Sequence, residues 1–151
     1  MLYQTINPYT EEILKTFDLH SDAQLANIIT NADATYTNIW RKKSYAKRSA
    51  VLHRAAELMR HNRDAFATPI TLEMGKLFRE AQAEVDLSAD ILDYYADNAE
   101  KFLAPVNLQV DDGKATILNQ PIGIVFCIEP WNFPYYQLAR VVGPNLMAGN
   151  V

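Results

Sequence analysis

The stretch Ile122-Gly123-Ile124-Val125-Phe126-Cys127-Ile128-Glu129-Pro130-Trp131-Asn132-Phe133-Pro134 joins an apolar run to an aromatic loop bracketed by prolines. Its first seven residues carry no polar alternation, the pattern of a strand buried between helices in a parallel sheet. Ligands of doubly wound sheets bind where such a strand ends, and the proline loop begins there. Pro130 and Pro134 fix the backbone, Trp131 and Phe133 anchor it, and Asn132 then offers a rigidly held side-chain amide, a donor suited to a developing oxyanion. The same residues fit a plain aromatic-anchored turn in which Asn132 satisfies backbone groups. Spacing alone leaves both open.

Composition narrows the rest. The 151 residues are 49% apolar and 21% charged, an ordinary globular balance. Fourteen Lys and Arg against eighteen Asp and Glu give a net charge of -4, so no excess positive charge is present to neutralise a phosphate backbone, and nucleic acid is a poor partner. The seven-residue run Ile122–Ile128 is far short of the ~20 residues needed to cross a bilayer. The start, Met1-Leu2-Tyr3-Gln4-Thr5, lacks the basic and apolar regions of a secretory signal, and a single cysteine cannot form an internal disulfide. A reducing cytoplasm is the expected location.

Along the chain, Tyr3–Ile6 and Ile13–Phe17 flank turn chemistry at Asn7-Pro8 and predict a β-hairpin. Ser21 and Gln24 form a capping-box pattern, and Leu25, Ile28, Ile29, Ala32, Tyr36, Ile39 and Trp40 follow one helical face, which should be buried. Ser44 caps a second predicted helix ending near Asn62, with Val51, Ala55, Leu58 and Met59 as its apolar stripe. Phe66, Ile70 and Met74 continue the spacing, and Pro69 predicts a kink or break with Thr68 as a new N-cap. A long helix should run from Leu77 to about Leu103. Asp111-Asp112-Gly113 then predicts a turn between Leu108–Val110 and Ala115–Leu118, and a last helix spans about Tyr136 to Met147. These elements imply an α/β fold in which helices precede the first strand of a parallel sheet. That strand requires neighbours, and the other extended segments are short hairpins of mixed polarity, so an incomplete fold is expected.

Further strings carry a resemblance. Asn7-Pro8, Trp40, Arg48, Leu52, Leu72-Glu73-Met74-Gly75-Lys76, Glu80-Ala81, Glu84-Val85, Tyr94-Tyr95-Ala96, Pro121-Ile122-Gly123, Pro130-Trp131-Asn132-Phe133-Pro134 and Ala148-Gly149-Asn150 together resemble the amino-terminal part of the aldehyde dehydrogenase superfamily. Gln137, Arg140 and Ala148-Gly149-Asn150 are most similar to its bacterial succinate-semialdehyde dehydrogenase group. The resemblance implies a Rossmann-like NAD(P)-binding domain made in part of residues 1–104 and 122–151, with 105–121 as a β-hairpin of the oligomerisation extension. It implies NAD(P)-dependent oxidation of an aldehyde through a cysteine thioester, with the nucleophilic cysteine and the general-base glutamate beyond residue 151. This chain alone would then be inactive, and the complete protein a homodimer or homotetramer.

Residue by residue, Asn132 matches the family's oxyanion-hole asparagine. Ile128, Glu129, Pro130, Trp131 and Asn132 match its cofactor-binding stretch, although Glu129 departs from the apolar or small residue more usual there. Arg140 follows Asn132 by about two helical turns and matches the arginine that takes the distal carboxylate of succinate semialdehyde, a group suited to a bidentate guanidinium. Without the family, an arginine paired to a local acid or lying on a solvent face would be the simpler account. Cys127 reads as a small hydrophobe of the strand rather than a nucleophile, and Glu73 and Lys76 read as scaffold at a helix end. His20, His53 and His61 show no ligand spacing and read as helix-end or surface residues, so no metal is expected. Two other readings stand beside this one: a truncated, non-catalytic module that binds a partner through its exposed sheet edge, and a relative that makes an acyl-CoA or reduces an acyl phosphate.

Overall fold

A computed structural model describes residues 3–151; Met1 and Leu2, the first residues of the segment 1–104, lie outside the described residues. Strands β1 (Tyr3–Ile6) and β2 (Ile13–Phe17) pair antiparallel. The Asn7 carboxamide closes their turn by accepting from the N–H groups of Tyr9 (2.9 Å) and Thr10 (3.3 Å), the Asx-turn chemistry the sequence predicts. Helix α1 (Asp22–Asn38) starts at a complete capping box: Gln24 N–H donates to Ser21 Oγ, and Ser21 N–H donates to Gln24 Oε1. A short 3-10 turn (Trp40–Lys42) leads into α2 (Tyr45–His61), capped by Ser44, and then into α3 (Arg63–Met74) and α4 (Phe78–Phe102). Strands β3 (Val106–Leu108) and β4 (Ala115–Ile117) form the second hairpin, and α5 (Pro134–Ala148) closes the described structure.

Helix α4 is the centre, packed by α2, α3 and α5. Its buried stripe is mostly small, Ala81, Val85, Ser88, Ala89, Ala96 and Ala99 with Leu92, and short side chains let neighbouring helices approach closely. Leu52 and Ala56 of α2 and Ala139 and Met147 of α5 complete the main core. At the closest crossing, a Cβ on Gly143 of α5 would stand 2.8 Å from the Tyr95 ring of α4, so only glycine admits this approach.

Four expectations need correction. The α1 face is covered only toward its end: Leu25, Ile28, Ile29 and Ile39 are each about half exposed, Ala32 and Tyr36 are half-buried and Trp40 is buried, because α1 packs chiefly on the 3-10 turn that follows it. The buried stripe of α2 is Arg48, Leu52 and Ala56; of the expected stripe, Ala55 and Met59 are half-buried against the core while Val51 and Leu58 face outward, and hydrophobicity misplaced its centre because the first buried member is a cation. Helix α3 is continuous through Pro69. Thr68 Oγ1 donates to the Asp64 carbonyl instead of capping a new helix, and the carbonyl that Pro69 cannot serve belongs to exposed Ala65, where water can satisfy it.

The fourth correction concerns Ile122–Ile128. Ile122, Phe126 and Ile128 are 83–85% exposed, not buried between helices, because no layer among the described residues covers them. Only Gly123 is buried and Val125 half-buried. The segment still makes one rung. Val151 N–H donates to the Gly123 carbonyl (3.0 Å), and Val125 N–H donates to the Val151 carbonyl (2.8 Å), the slanted pattern of parallel strands. Cys127 is exposed as well. Among the described residues, no helix is long and apolar enough to cross a membrane.

An ion-pair ladder stitches α2 to α4. His53, mid-helix rather than at an end, bridges Asp93 (2.6 Å) and Asp97 (3.1 Å), and Arg60 bridges Asp90 and Asp93 (2.6 Å each). Burial pushes the Asp93 carboxyl upward, but its hydrogen bonds from His53 and Arg60 outweigh that, and it titrates below the ordinary carboxylate range. A carboxyl depressed in the fold contributes stability that is present above its unfolded value of about 3.9 and is lost as pH falls through the folded one. Asp93→Asn should therefore cost stability at neutral pH, with the gap from the parent closing below about pH 4. Urea midpoints measured from pH 3 to 7 test this; a gap independent of pH would exclude the linkage.

Candidate functional site

Helix α5 opens immediately after the proline loop, and its first turn presents N–H groups without intrahelical partners. Pro134 at the first position has none to offer. The next two, on Tyr135 and Tyr136, donate to Oε1 of Glu84 at 3.0 and 3.4 Å. Glu84 belongs to the buried stripe of α4 and is 3% exposed. A carboxylate at a helix N-terminus is favoured by the helix dipole, and one removed from water also needs a counterion. Lys76, just past the Gly75 cap of α3, supplies it: its Nζ binds Glu84 Oε2, donates to the Asn132 carbonyl at 3.2 Å and stands 3.7 Å from the Phe133 ring centroid. Tyr135 packs edge-on against Phe66 of α3 at 5.4 Å. Burial, then the Glu73 and Glu84 carboxylates, push its phenol upward, which keeps the hydroxyl neutral.

The other end of α5 is held by cations and donors. Arg48 Nη1 donates to the Met147 carbonyl (2.7 Å), and Trp40 Nε1 donates to the Leu146 carbonyl (3.0 Å), satisfying carbonyls left open at a helix C-terminus. Burial pushes the Arg48 guanidinium below its ordinary value, partly offset by Tyr45, yet arginine titrates so high that it stays cationic. Gly149 ends the helix with φ at 100°. Asn150 then folds back, its Oδ1 accepting from the N–H groups of Ile122 (2.7 Å) and Gly123 (3.1 Å). Tyr36 of α1 donates to the Pro121 carbonyl (3.3 Å). The apolar segment and the proline loop are thus both tied to α5, one at each end.

The residues singled out from the sequence fall around this frame. Asn132 is exposed, its carbonyl held by Lys76. The cleft beside it, of about 670 Å³ between β1 and α3, is lined by Trp131, Pro134 and Tyr135 rather than by the Asn132 amide. Ile128 and Trp131 are largely exposed and Glu129 half-buried. Among the described residues, no backbone group of residues 126–129 is bonded to another backbone group, and Trp131 and Asn132 form a turn. Arg140 is exposed six residues into α5, its guanidinium 5.3 Å from the Tyr136 ring centroid and 3.4 Å from Gln137 Oε1. No salt bridge among the described residues involves Arg140, and its position is that of an arginine on a solvent face of α5.

Sequence reasoning missed Glu84, and gave Lys76 no role beyond a helix end. A signal was available: Ala81, Glu84, Val85, Ser88 and Ala89 follow helical spacing on one face, so a charge there is buried and needs a partner. Arg48, spaced with Leu52 and Ala56, gives the same signal on α2.

The sequence profile of the aldehyde dehydrogenase family matches residues 1–151. The succinate-semialdehyde dehydrogenase (NADP(+)) of Deinococcus radiodurans is 45% identical over 148 residues, which cover 98% of this chain and 31% of that protein. The solved structure of succinic semialdehyde dehydrogenase from Streptococcus pyogenes with NADP+ superposes with a TM-score of 0.93 at 50% identity, over 98% of this chain and 32% of that one. A solved structure of Gox0499 gives a TM-score of 0.98 at 53% identity, over all of this chain and 33% of its own. The chain spans about a third of the length of the relatives it matches.

Gly149 leaves little room at the end of α5: a Cβ there would stand 3.1 to 3.2 Å from the Arg48 guanidinium, on a backbone that side chains rarely adopt. Gly149→Ala should lower folding stability by about 1–3 kcal/mol, read as a lower urea midpoint by circular dichroism. An unchanged midpoint would mean that Arg48 moves freely and does not cap α5.

Proposed function

The chain belongs to the aldehyde dehydrogenase family, and from that membership we propose that it is the amino-terminal third of an NAD(P)-dependent enzyme that oxidises succinate semialdehyde to succinate. The observation that carries this reading is the Pro130–Pro134 loop, held at the head of α5 by the Lys76–Glu84 pair and followed two turns later by an exposed arginine that pairs with no acid among the described residues. The cysteine nucleophile and the general-base glutamate are assigned to the polypeptide beyond residue 151. Residues 1–104 and 122–151 contribute to a Rossmann-like dinucleotide-binding domain whose parallel sheet begins with Ile122–Ile128; the Gly123–Val151 rung supports this. Residues 105–121 form an oligomerisation hairpin, and the complete protein is a homo-oligomer of two or four subunits.

A dinucleotide fits the stretch from Ile128 to Asn132. Exposed Ile128 and Trp131 offer apolar surface for flat rings, and the unpaired backbone groups nearby offer donors and acceptors. When bound, its nicotinamide accepts the hydride that leaves the aldehyde carbon. Asn132 donates from its side-chain amide to the carbonyl oxygen as charge builds there during thiolate attack. Arg140 holds the distal carboxylate with its free donors and so orients the chain of the substrate. NADP is the dinucleotide named for the relatives from Deinococcus radiodurans and Streptococcus pyogenes, and we assign either NAD or NADP to this protein.

Two substitutions in the complete protein test the roles. Asn132→Ala should lower kcat for succinate semialdehyde by about 10²–10³, the cost of one oxyanion donor; a kcat within twofold of the parent would remove that role. Arg140→Ala should raise KM for succinate semialdehyde far more than KM for an uncharged aldehyde, and equal effects on both would reject the carboxylate contact.

A further inference from the structure

The Asn132 amide has no fixed direction of its own. It is exposed, and among the described residues no hydrogen bond reaches its side chain; the bond this residue makes is through its carbonyl, to Lys76. The backbone of residues 132–136 sets the point and the Cα–Cβ direction from which the amide extends. That backbone is gripped from one place. Lys76 Nζ takes the Asn132 carbonyl at 3.2 Å and covers the Phe133 ring at 3.7 Å, and its partner Glu84 takes the N–H groups of Tyr135 and Tyr136. An ammonium has three donor directions, here directed to the Glu84 carboxylate, the Asn132 carbonyl and an aromatic face. Both side chains are at least nine-tenths buried, Lys76 at 8% and Glu84 at 1% exposure, where low polarity makes such bonds strong and their loss expensive.

We propose that Lys76, neutralised by Glu84, is the positioning residue of the oxyanion donor: it fixes the peptide after Asn132 and so aims the side-chain amide at the substrate oxygen. This rests on reading Asn132 as that donor. Lys76 touches neither substrate nor dinucleotide in this role and acts wholly through Asn132. Its contribution must therefore vanish when Asn132 has no amide to aim, which a purely structural lysine would not do.

A double-mutant cycle in the full-length protein separates the two. Lys76→Met should lower kcat for succinate semialdehyde by about 10- to 100-fold, the scale of a misplaced reacting group, with KM for aldehyde and dinucleotide changed by less than about threefold. Added to Asn132→Ala, it should cost less than about twofold more, a strongly non-additive result. Lys76→Arg, which keeps donors for both the carboxylate and the carbonyl, should restore part of the loss. The inference is overturned if Lys76→Met leaves kcat within twofold of the parent, or if it costs the same factor with and without the Asn132 amide. An Asn132→Ala protein with parental kcat would sink the oxyanion reading and this inference with it. That outcome differs from a large Asn132→Ala loss beside an inert Lys76→Met. Should Lys76→Met not fold, Lys76→Gln keeps an uncharged N–H for the Asn132 carbonyl and is judged by the same cycle: non-additivity supports, additivity refutes.

Discussion

A carboxylate without water is the constraint around which this chain is arranged. Glu84 lies on the buried face of the molecule's central helix, near its start, where an unpaired charge would cost several kcal/mol even after relaxation. Three groups from two other segments offset that cost: the Lys76 ammonium and two backbone N–H groups at the head of α5. Each of them is drawn to the same point. The turn after α3, the second turn of α4 and the start of α5 are thereby fixed relative to one another by electrostatics, while the alanine-rich stripe beneath them does the packing. A hydrophobic residue at position 84 would leave the first amides of α5 and the Lys76 ammonium without their carboxylate partner.

The other end of α5 repeats the arrangement with the signs reversed. A buried guanidinium and an indole N–H meet the last carbonyls, as Glu84 meets the first amides. The helix is held in the sense of its own dipole at both ends, and the two site candidates flank it, Asn132 just before the start and Arg140 on its exposed side, with the structural Asn150 just beyond the finish. None of the three contributes to the hydrophobic core cluster.

Much of this was legible from the residues. The capping box at Ser21, the Asx turn at Asn7, the Gly75 stop and the long uninterrupted α4 are all local rules read off a few neighbouring side chains, and the structure has each of them. The proline loop and Asn132 were visible because two prolines and two aromatics around one amide are rare in a plain turn. The misses share a cause. Apolarity points to Val51 and Leu58 as part of the buried stripe of α2, yet the face turned inward begins with Arg48, whose partner lies 99 residues away at Met147. Pro69 predicts a kink or break only where its orphaned carbonyl is shielded from water, and Ala65 is exposed. Apolar periodicity states that the faces of α1 and of Ile122–Ile128 seek cover, not which residues supply it.

Asn150 has one consequence beyond tying segments together. Its carboxamide accepts from two consecutive amides, those of Ile122 and Gly123, immediately before the residue that forms the parallel rung. Side chains along an extended segment alternate between faces, so a slip of one position would exchange its two sides completely. With two adjacent amides engaged at once, such a slip would break both bonds. A single asparagine therefore acts as the zero mark of a ruler: it decides which of the alternating apolar side chains between 122 and 128 look toward the helices and which look away.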